Sequence, residues 1–387
     1  MSNAATVVGG KGAGRLWDYA PTYGALAALV LLLAINSVFT PNFFDLNNFR
    51  NILLQVAPTV LVATGMTLVI ATGGIDLSVG SVMAIASAVA AMILVDGLNL
   101  AALIAFLLVF FIYAILLKLA EAKRLGRIAK YIIHAISITT LVALIHEAIS
   151  PIILNLTGLL VVHGAIAAIA CALVIALAVG SMNGVLISGF RIQPIIVTLA
   201  LLISGRGVAQ VFSGGNLVPF SSPSFEYLGK GVVAGVPVQV IVMVLAVAVA
   251  VFVMRATAFG RYVVSVGGNE AAARLAGVKV HRTKIMVYAL SGLLAGLAGL
   301  IDTARLGASD AQKVGLNIEL DAIAATVVGG TPLTGGRATV LGTLVGALIM
   351  QVITTGFVMN GISYSWSLVI KAAIIVVAVY IQRPRVA

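Results

Sequence analysis

The sequence predicts an all-α integral membrane protein, a polytopic helical bundle. Three observations carry this reading. Of its 387 residues 61% are hydrophobic and only 9% are charged, against roughly 25% charged in a soluble domain. Apolar stretches near the ~20 residues that cross a bilayer recur along the chain. The basic residues also fall on alternate loops, as they do where Lys and Arg stay on the inner side of a membrane.

The spans are expected at 22–39, 52–72, 79–95, 100–117, 131–153, 161–187, 192–212, 237–254, 284–302, 320–334, 338–358 and 365–382. The window 320–334 is the weakest, being short and interrupted by Gly329, Gly330 and Pro332. This leaves a tail at 1–21, a membrane domain at 22–382 and a tail at 383–387. The first residues, "MSNAATVVGGKGAGRLWDYA", carry no cleavable-signal pattern and are expected to stay inside. Counting from an inside N-terminus, the inner loops collect Lys11, Arg15, Lys118, Lys123, Arg124, Arg127, Lys130, Arg191, Arg255 to Arg282, Arg337, Arg383 and Arg385. The outer loops hold Arg50, Lys230, Arg305 and Lys313, with Arg206 near an outer span end. The outer loop 213–236 is rich in Gly, Pro and Ser and reads as turns.

Composition and motifs exclude several function classes. A net charge of +11 is accounted for by the loop bias, so no nucleic-acid partner is expected. The single Cys171 forms no intrachain disulfide. His146-Glu147 begins like a zinc motif, but position 150 is Ser, and His134, His146 and His163 lack ligand spacing. "VVGGKGAG" lacks the Gly-Lys-Ser/Thr ending of a phosphate-binding loop. No catalytic, metal or cofactor-binding set is expected.

"GGNEAAARLAGV", Gly267 to Val278, is polar within this apolar chain. Asn269 is a good N-cap. Glu270 suits the first turn of a helix, and Arg274 follows in the favourable i, i+4 order. Gly277 supplies a left-handed stop. A helix of about two turns is written here, too short to stand alone in water. Something must hold it. It reads either as an ordinary capped loop helix on the inner face or as an element that docks into a partner.

"GGIDLSVG" (73–80) and "GGTPLTGG" (329–336) match at Gly73/Gly329, Gly74/Gly330, Leu77/Leu333, Ser78/Thr334 and Gly80/Gly336. Both lie at inner span ends, which suggests a parallel internal repeat. Gly180-x-x-x-Gly184, Gly292, Gly296, Gly299 and Gly342-x-x-x-Gly346 suit close helix packing. Asp76 is expected to cap the helix that starts near Ser78. Arg206, between glycines, is expected to find backbone partners, and Lys371 to snorkel to the outer surface.

Together, "GMTLVIATGGIDLSVGSVMA", "QPIIVTLALLISGRGVAQ", "SVGGNEAAARLAGVKV" and "LDAIAATVVGGTPLTGGRATVLGTLVGALI" resemble the permease subunit of ABC-type monosaccharide importers, the ribose, xylose, arabinose and galactofuranose group. "GRGVAQ" is most similar to the galactofuranose permeases. The resemblance covers 20–98 and 161–382. It implies about ten spans in the bacterial inner membrane, with cytoplasmic termini. It also implies two cytoplasmic ABC ATPase subunits (or one fused tandem ATPase) that carry ATP and Mg, a second permease copy or homologous permease, and a periplasmic sugar-binding protein. Within the inner loop 255–283 it assigns ATPase coupling to Gly268, Asn269, Glu270, Ala273, Arg274, Leu275 and Gly277. The translocation pathway or gate is expected to include Gly73, Gly74, Asp76, Asn183, Gln193, Arg206, Gly329 and Gly330. Residues 100–160 depart from the family pattern, as an insert with two extra spans joined by "KLAEAKRLGRIAK".

Other readings stand beside it. A secondary transporter or channel for a small polar solute needs a mid-membrane carboxylate, for which Glu147 in the insert is the candidate. An ABC permease for branched-chain amino acids also fits, whereas a membrane enzyme lacks a catalytic cluster.

Overall fold

The computed structural model describes residues 20–99, 161–162 and 164–381. The expected spans 100–117 and 131–153, residues 1–19 of the first tail, the tail at 383–387, and the candidates at His134, His146, Glu147 and His163 lie outside the described residues. The helices, in chain order, are α1 (Ala20–Phe39), α2 (Leu46–Ala71), α3 (Val79–Val95), α4 (Ala165–Phe190), α5 (Pro194–Phe212), α6 (Pro223–Lys230) and α7 (Val238–Ala256). They continue with α8 (Ala258–Gly268), α9 (Glu270–Leu275), α10 (Val280–Leu306), α11 (Ile318–Val328), α12 (Val340–Met359) and α13 (Tyr364–Ile381). Three two-residue antiparallel ladders complete the described secondary structure. One of them pairs Leu98 with Val162 and Asn99 with Val161, so the two chain ends that bracket 100–160 lie side by side.

Six described helices are long and apolar enough to cross a membrane: α2, α4, α5, α7, α10 and α12. Three shorter apolar helices accompany them, Tyr23–Phe39, Val79–Val95 and Tyr364–Tyr380. This is a multi-pass helical membrane protein.

Apolarity on every side does not tell a buried span from a lipid-facing one. Packing does. From Val60 to Ala71 every residue of α2 is buried, enclosed by α10, α11, α12 and α7. By contrast α13 leaves Val376, Val377 and Tyr380 exposed. Lipid tails are as apolar as Leu, so helices in a bilayer associate through close packing rather than through escape from water. The expected glycines supply that closeness. A Cβ at Gly292 would sit 2.9 Å from the Gly180 Cα, and one at Gly184 would sit 2.6 Å from the Ile285 Cα. These contacts draw α4 onto α10 along their length. Buried hydroxyls add cross-links, as where Thr67 and Thr343 oxygens lie 2.7 Å apart and Thr303 Oγ1 donates to Ser87 Oγ at 2.6 Å.

Four elements differ from the sequence reading. The weak window 320–334 is a short helix, α11, of 11 residues. At 1.5 Å per residue it spans about 16 Å, half the ~30 Å hydrocarbon core. The chain then runs on without helix to Val340, which a membrane protein tolerates only inside protein or beside water. Thr331 in that run is fully buried. The loop 213–236 contains a helix, α6. Pro223 opens it, Lys230 pairs with Glu226 at 2.7 Å, and Phe225 is buried edge-on to Phe220 at 5.3 Å. Turn-rich composition hid a two-turn helix that only its Phe225 anchor explains. Lys371 does not snorkel: it is 6% exposed, and its Nζ donates to Asp321 Oδ1 at 3.0 Å. A carboxylate on a neighbouring helix was closer than the surface. Finally, α8 precedes the polar helix, capped by Thr257 Oγ1, which accepts from the Gly260 N–H at 3.4 Å.

Candidate functional site

At one end of the bundle α8, α9 and the start of α10 form a braced corner. Gly267 lies against the backbone of Ala71 and Gly336, and an added Cβ there would fall 2.6 Å from the Gly336 nitrogen. The Gly336 N–H in turn donates to the Ala71 carbonyl at 3.0 Å. The last turn of α8 is therefore pressed onto both Gly-Gly segments.

Asn269 then turns the chain with extended backbone at φ −158°. Its Oδ1 accepts the Ala272 N–H at 2.9 Å, starting α9. The helix has only six residues and needs outside support. Three devices supply it. Glu270 Oε1 accepts from Arg274 at 3.0 Å, while Glu270 Oε2 accepts from Lys284 Nζ at 2.7 Å. The second bond ties α9 to α10. At the far end Gly277, at φ +83°, donates to the Arg274 carbonyl and Val278 donates to that of Ala273, the paired closure that suits a left-handed glycine. Beneath lies a small core of Val266, Ala273 and Val280, joined by Val278. The Lys284 ammonium, hydrogen-bonded to Glu270, holds that carboxyl below its ordinary value, with Arg274 adding to the effect.

What remains outside is a tip. Leu275 is 91% exposed, flanked by exposed Arg274, Ala271 and Ala272. Of the sequence-assigned coupling residues, Asn269, Glu270 and Gly277 build the helix, Ala273 seats it, and Arg274 and Leu275 face outward. Gly268 lies against Gly336 in the joint behind it.

The expected pathway residues do not form one group. Gly73, Gly74, Asp76 and Asn183 come together. Gly73 turns at φ +77°. Asp76 is 1% exposed; its Oδ1 accepts from the Ser78 N–H at 3.1 Å and the Ser78 hydroxyl at 2.6 Å. Its Oδ2 accepts from Ser291 Oγ at 2.9 Å. Asn183 Nδ2 donates to Ser78 Oγ at 2.9 Å. Asp76 thus closes a turn onto Ser78, which is itself the N-cap of α3 and makes no side-chain cap bond, and the cluster reaches two further helices.

Gly329 and Gly330 lie at the end of α11, where Gly329 packs backbone to backbone against Gly342. Gln193 stands apart, exposed at the start of α5. Arg206 is elsewhere again. Its guanidinium donates to the carbonyls of Ala311 at 3.1 Å, Val314 at 2.6 Å and Gly315 at 3.2 Å, tying down the 311–315 loop with the backbone partners its glycine flanks suggested. Sequence reading missed Ser291 and Tyr288, because a Ser and a Tyr inside a long apolar span carry no signal until the opposing helix is known. Lys284, at the start of a long apolar helix, likewise carries no signal until Glu270 is brought beside it.

Fold and site thus define a multi-pass helical membrane protein with a braced polar helix at one end of the bundle. A family model described as branched-chain amino acid transport system / permease component matches residues 48–379, and the chain belongs to that permease family. The ribose import permease protein RbsC of Escherichia coli (strain K12) is 36% identical over 365 residues, 93% of this chain and 93% of that protein. The galactofuranose transporter permease protein YtfT of the same organism is 35% identical over 368 residues, 93% and 89% of the two chains. The L-arabinose ABC transporter permease protein AraH of Azospirillum brasilense is 30% identical over 381 residues, 98% and 93%. No solved structure matches.

Proposed function

We propose that this chain is the membrane-spanning permease subunit of an ATP-driven ABC importer that passes a monosaccharide by alternating access. It is a transport subunit and not an enzyme. The names of its relatives support the sugar class. The observation that carries the mechanism is α9: a six-residue helix capped at both ends, braced to α10 and presenting Leu275 outward. Such a helix is a rigid knob whose exposed apolar tip suits a groove on another protein.

In this reading α9 sits at the cytoplasmic face of the bacterial inner membrane, with both termini on that side. It docks on two ABC ATPase subunits, or one fused tandem ATPase, and those subunits rather than this chain hold ATP and Mg. A second permease completes the pathway, and a periplasmic binding protein delivers the sugar to the outer loops, α6 among them.

The test is co-purification of the ATPase with this chain. Leu275→Asp places a charge where the tip must be buried, and is expected to weaken ATPase retention at least tenfold, as a desolvated unpaired charge should. Glu270→Ala, which unbraces the helix, should weaken it less. Full ATPase retention by Leu275→Asp would overturn the docking role.

A further inference from the structure

One face of α10 carries Lys284, Tyr288 and Ser291. They are four and three residues apart, so they lie in a row along the helix over roughly 10 Å. Each touches a different part of the corner. Lys284 holds Glu270 of α9 at 2.7 Å. Tyr288 Oη lies against Gly74, where an added Cβ would be 2.5 Å away. Ser291 donates to Asp76 Oδ2 at 2.9 Å. Through Ser78, which accepts from Asn183, the same carboxylate reaches α3 and α4. A helix is stiff along its axis, so a push on α9 through the Lys284–Glu270 pair is delivered to the Asp76 carboxylate.

The row also contains a spare donor. Tyr288 is 1% exposed, and its hydroxyl has no hydrogen-bond partner among the described residues. It sits one turn nearer α9 than Ser291 and beside the turn that carries Asp76. A buried hydroxyl without a partner costs free energy, and a short slide of α10 toward the far end of the bundle would bring it to the carboxylate in place of Ser291.

We infer that Asp76 is a two-position joint. It accepts from Ser291 in the arrangement seen here and from Tyr288 once α10 has moved, so that displacement of α9 selects between two discrete hydrogen-bonded states of α3, α4 and α10. Asp76, Tyr288 and Ser291 are positioning residues in this scheme. The inference rests on the docking role proposed for α9. Bistable packing of this kind is how small shifts at one site become defined changes at another.

The test uses the complex of full-length chain and ATPase in lipid nanodiscs, with Cys171 replaced by Ala. Spin labels at Ala271 on α9 and Val95 at the far end of α3 report the distance with and without ATP. Tyr288→Phe removes a donor used only in the shifted state. It is expected to lower that state's population with ATP at least about tenfold, as loss of one hydrogen bond to a carboxylate does. Ser291→Ala removes the donor of the resting state and is expected to raise the shifted population without ATP by a similar factor. Asp76→Asn should weaken both selections. Thr303→Val breaks another resting-state bond between α10 and α3, farther from α9, and is expected to act with the sign of Ser291→Ala. Opposite signs for Tyr288→Phe and Ser291→Ala, with the Tyr288→Phe effect lost when position 76 is Asn or Ala, carry the joint; a Tyr288→Phe effect that persists there is only the relief of an unpartnered hydroxyl and overturns it. The same sign for the two, or no change in either, overturns it while leaving docking intact. Failure of the unmutated chain to retain the ATPase overturns the docking role and the joint with it. Tyr288→Phe breaks no bond in the resting fold, and Asp76→Ala serves where Asp76→Asn is too unstable to purify.

Discussion

The segments 73–80 and 329–336 share four of eight positions by letter, with Ser78 facing Thr334 as a fifth likeness, and do different physical work. In the first, the left-handed residue is Gly73, at φ +77°; in the second it is Gly330, at φ +94°, while its counterpart Gly329 has an ordinary φ of −68°. Gly80 lies inside α3, which begins at Val79, whereas Gly335 and Gly336 are further left-handed turn residues at φ +83° and +79° and α12 begins only at Val340. The first segment is a polar knot around buried Asp76. The second is a backbone seam, with Gly329 on Gly342 and Gly346 on Ala325. The two meet where an added Cβ at Gly335 would fall 2.8 Å from the Gly73 nitrogen, without repeating one another residue by residue. Glycine is reused for two reasons: once because a turn needs positive φ, once because two backbones must touch.

That difference predicts unequal costs for similar substitutions. Gly329→Val forces a branched side chain against the Gly342 carbonyl, which cannot yield as a flexible side chain would. About 3 kcal/mol of lost stability is expected, seen as a large drop in the thermal midpoint of the detergent-purified protein. Gly73→Ala meets only the Thr334 carbonyl at 3.8 Å, so its cost is the left-handed backbone alone, about 1–2 kcal/mol. Equal losses in the two variants would erase the distinction between seam and turn.

The smallest effect concerns α9, which leans on both segments through Gly267 and Gly268. Glu270 is held below its ordinary value by Lys284 and then Arg274. Its bracing is therefore present above the unfolded carboxyl value of about 4.3, and is lost as pH falls through the lower folded value. Amide protection of Ala273 and Arg274, exchange taken relative to its intrinsic rate at each pH, should be flat above about pH 4.3 and fall below it. Lys284→Met should remove most of that pH dependence. The effect is modest because the Glu270 side chain is 43% exposed and water screens such pairs.

Much of the corner was legible in advance. Asn269, Glu270, Arg274 and Gly277 write start, brace and stop within one short stretch, and local rules of capping and i, i+4 spacing suffice to read them. The close-packing glycines at 180, 184, 292 and 342 were legible too, because a small residue in a span leaves few other purposes. The helix in 213–236 was missed because its anchor is a tertiary contact, Phe225 into the bundle. Lys371 was misread because its partner Asp321 is fifty residues away.

The sequence by itself determined that the chain is a polytopic helical membrane protein, where the polar helix begins and ends, and which glycines permit contact. Those properties follow from composition and from interactions within a few residues. Only the tertiary structure decided which apolar helix is central, that α11 covers about half a span, and that Asp76, Ser78, Asn183 and Ser291 form one knot. In a membrane every span is apolar, and a buried polar group that lacks a partner is costly. Periodicity therefore cannot rank the helices, and the partner of a buried hydroxyl is known only when the helices are brought together.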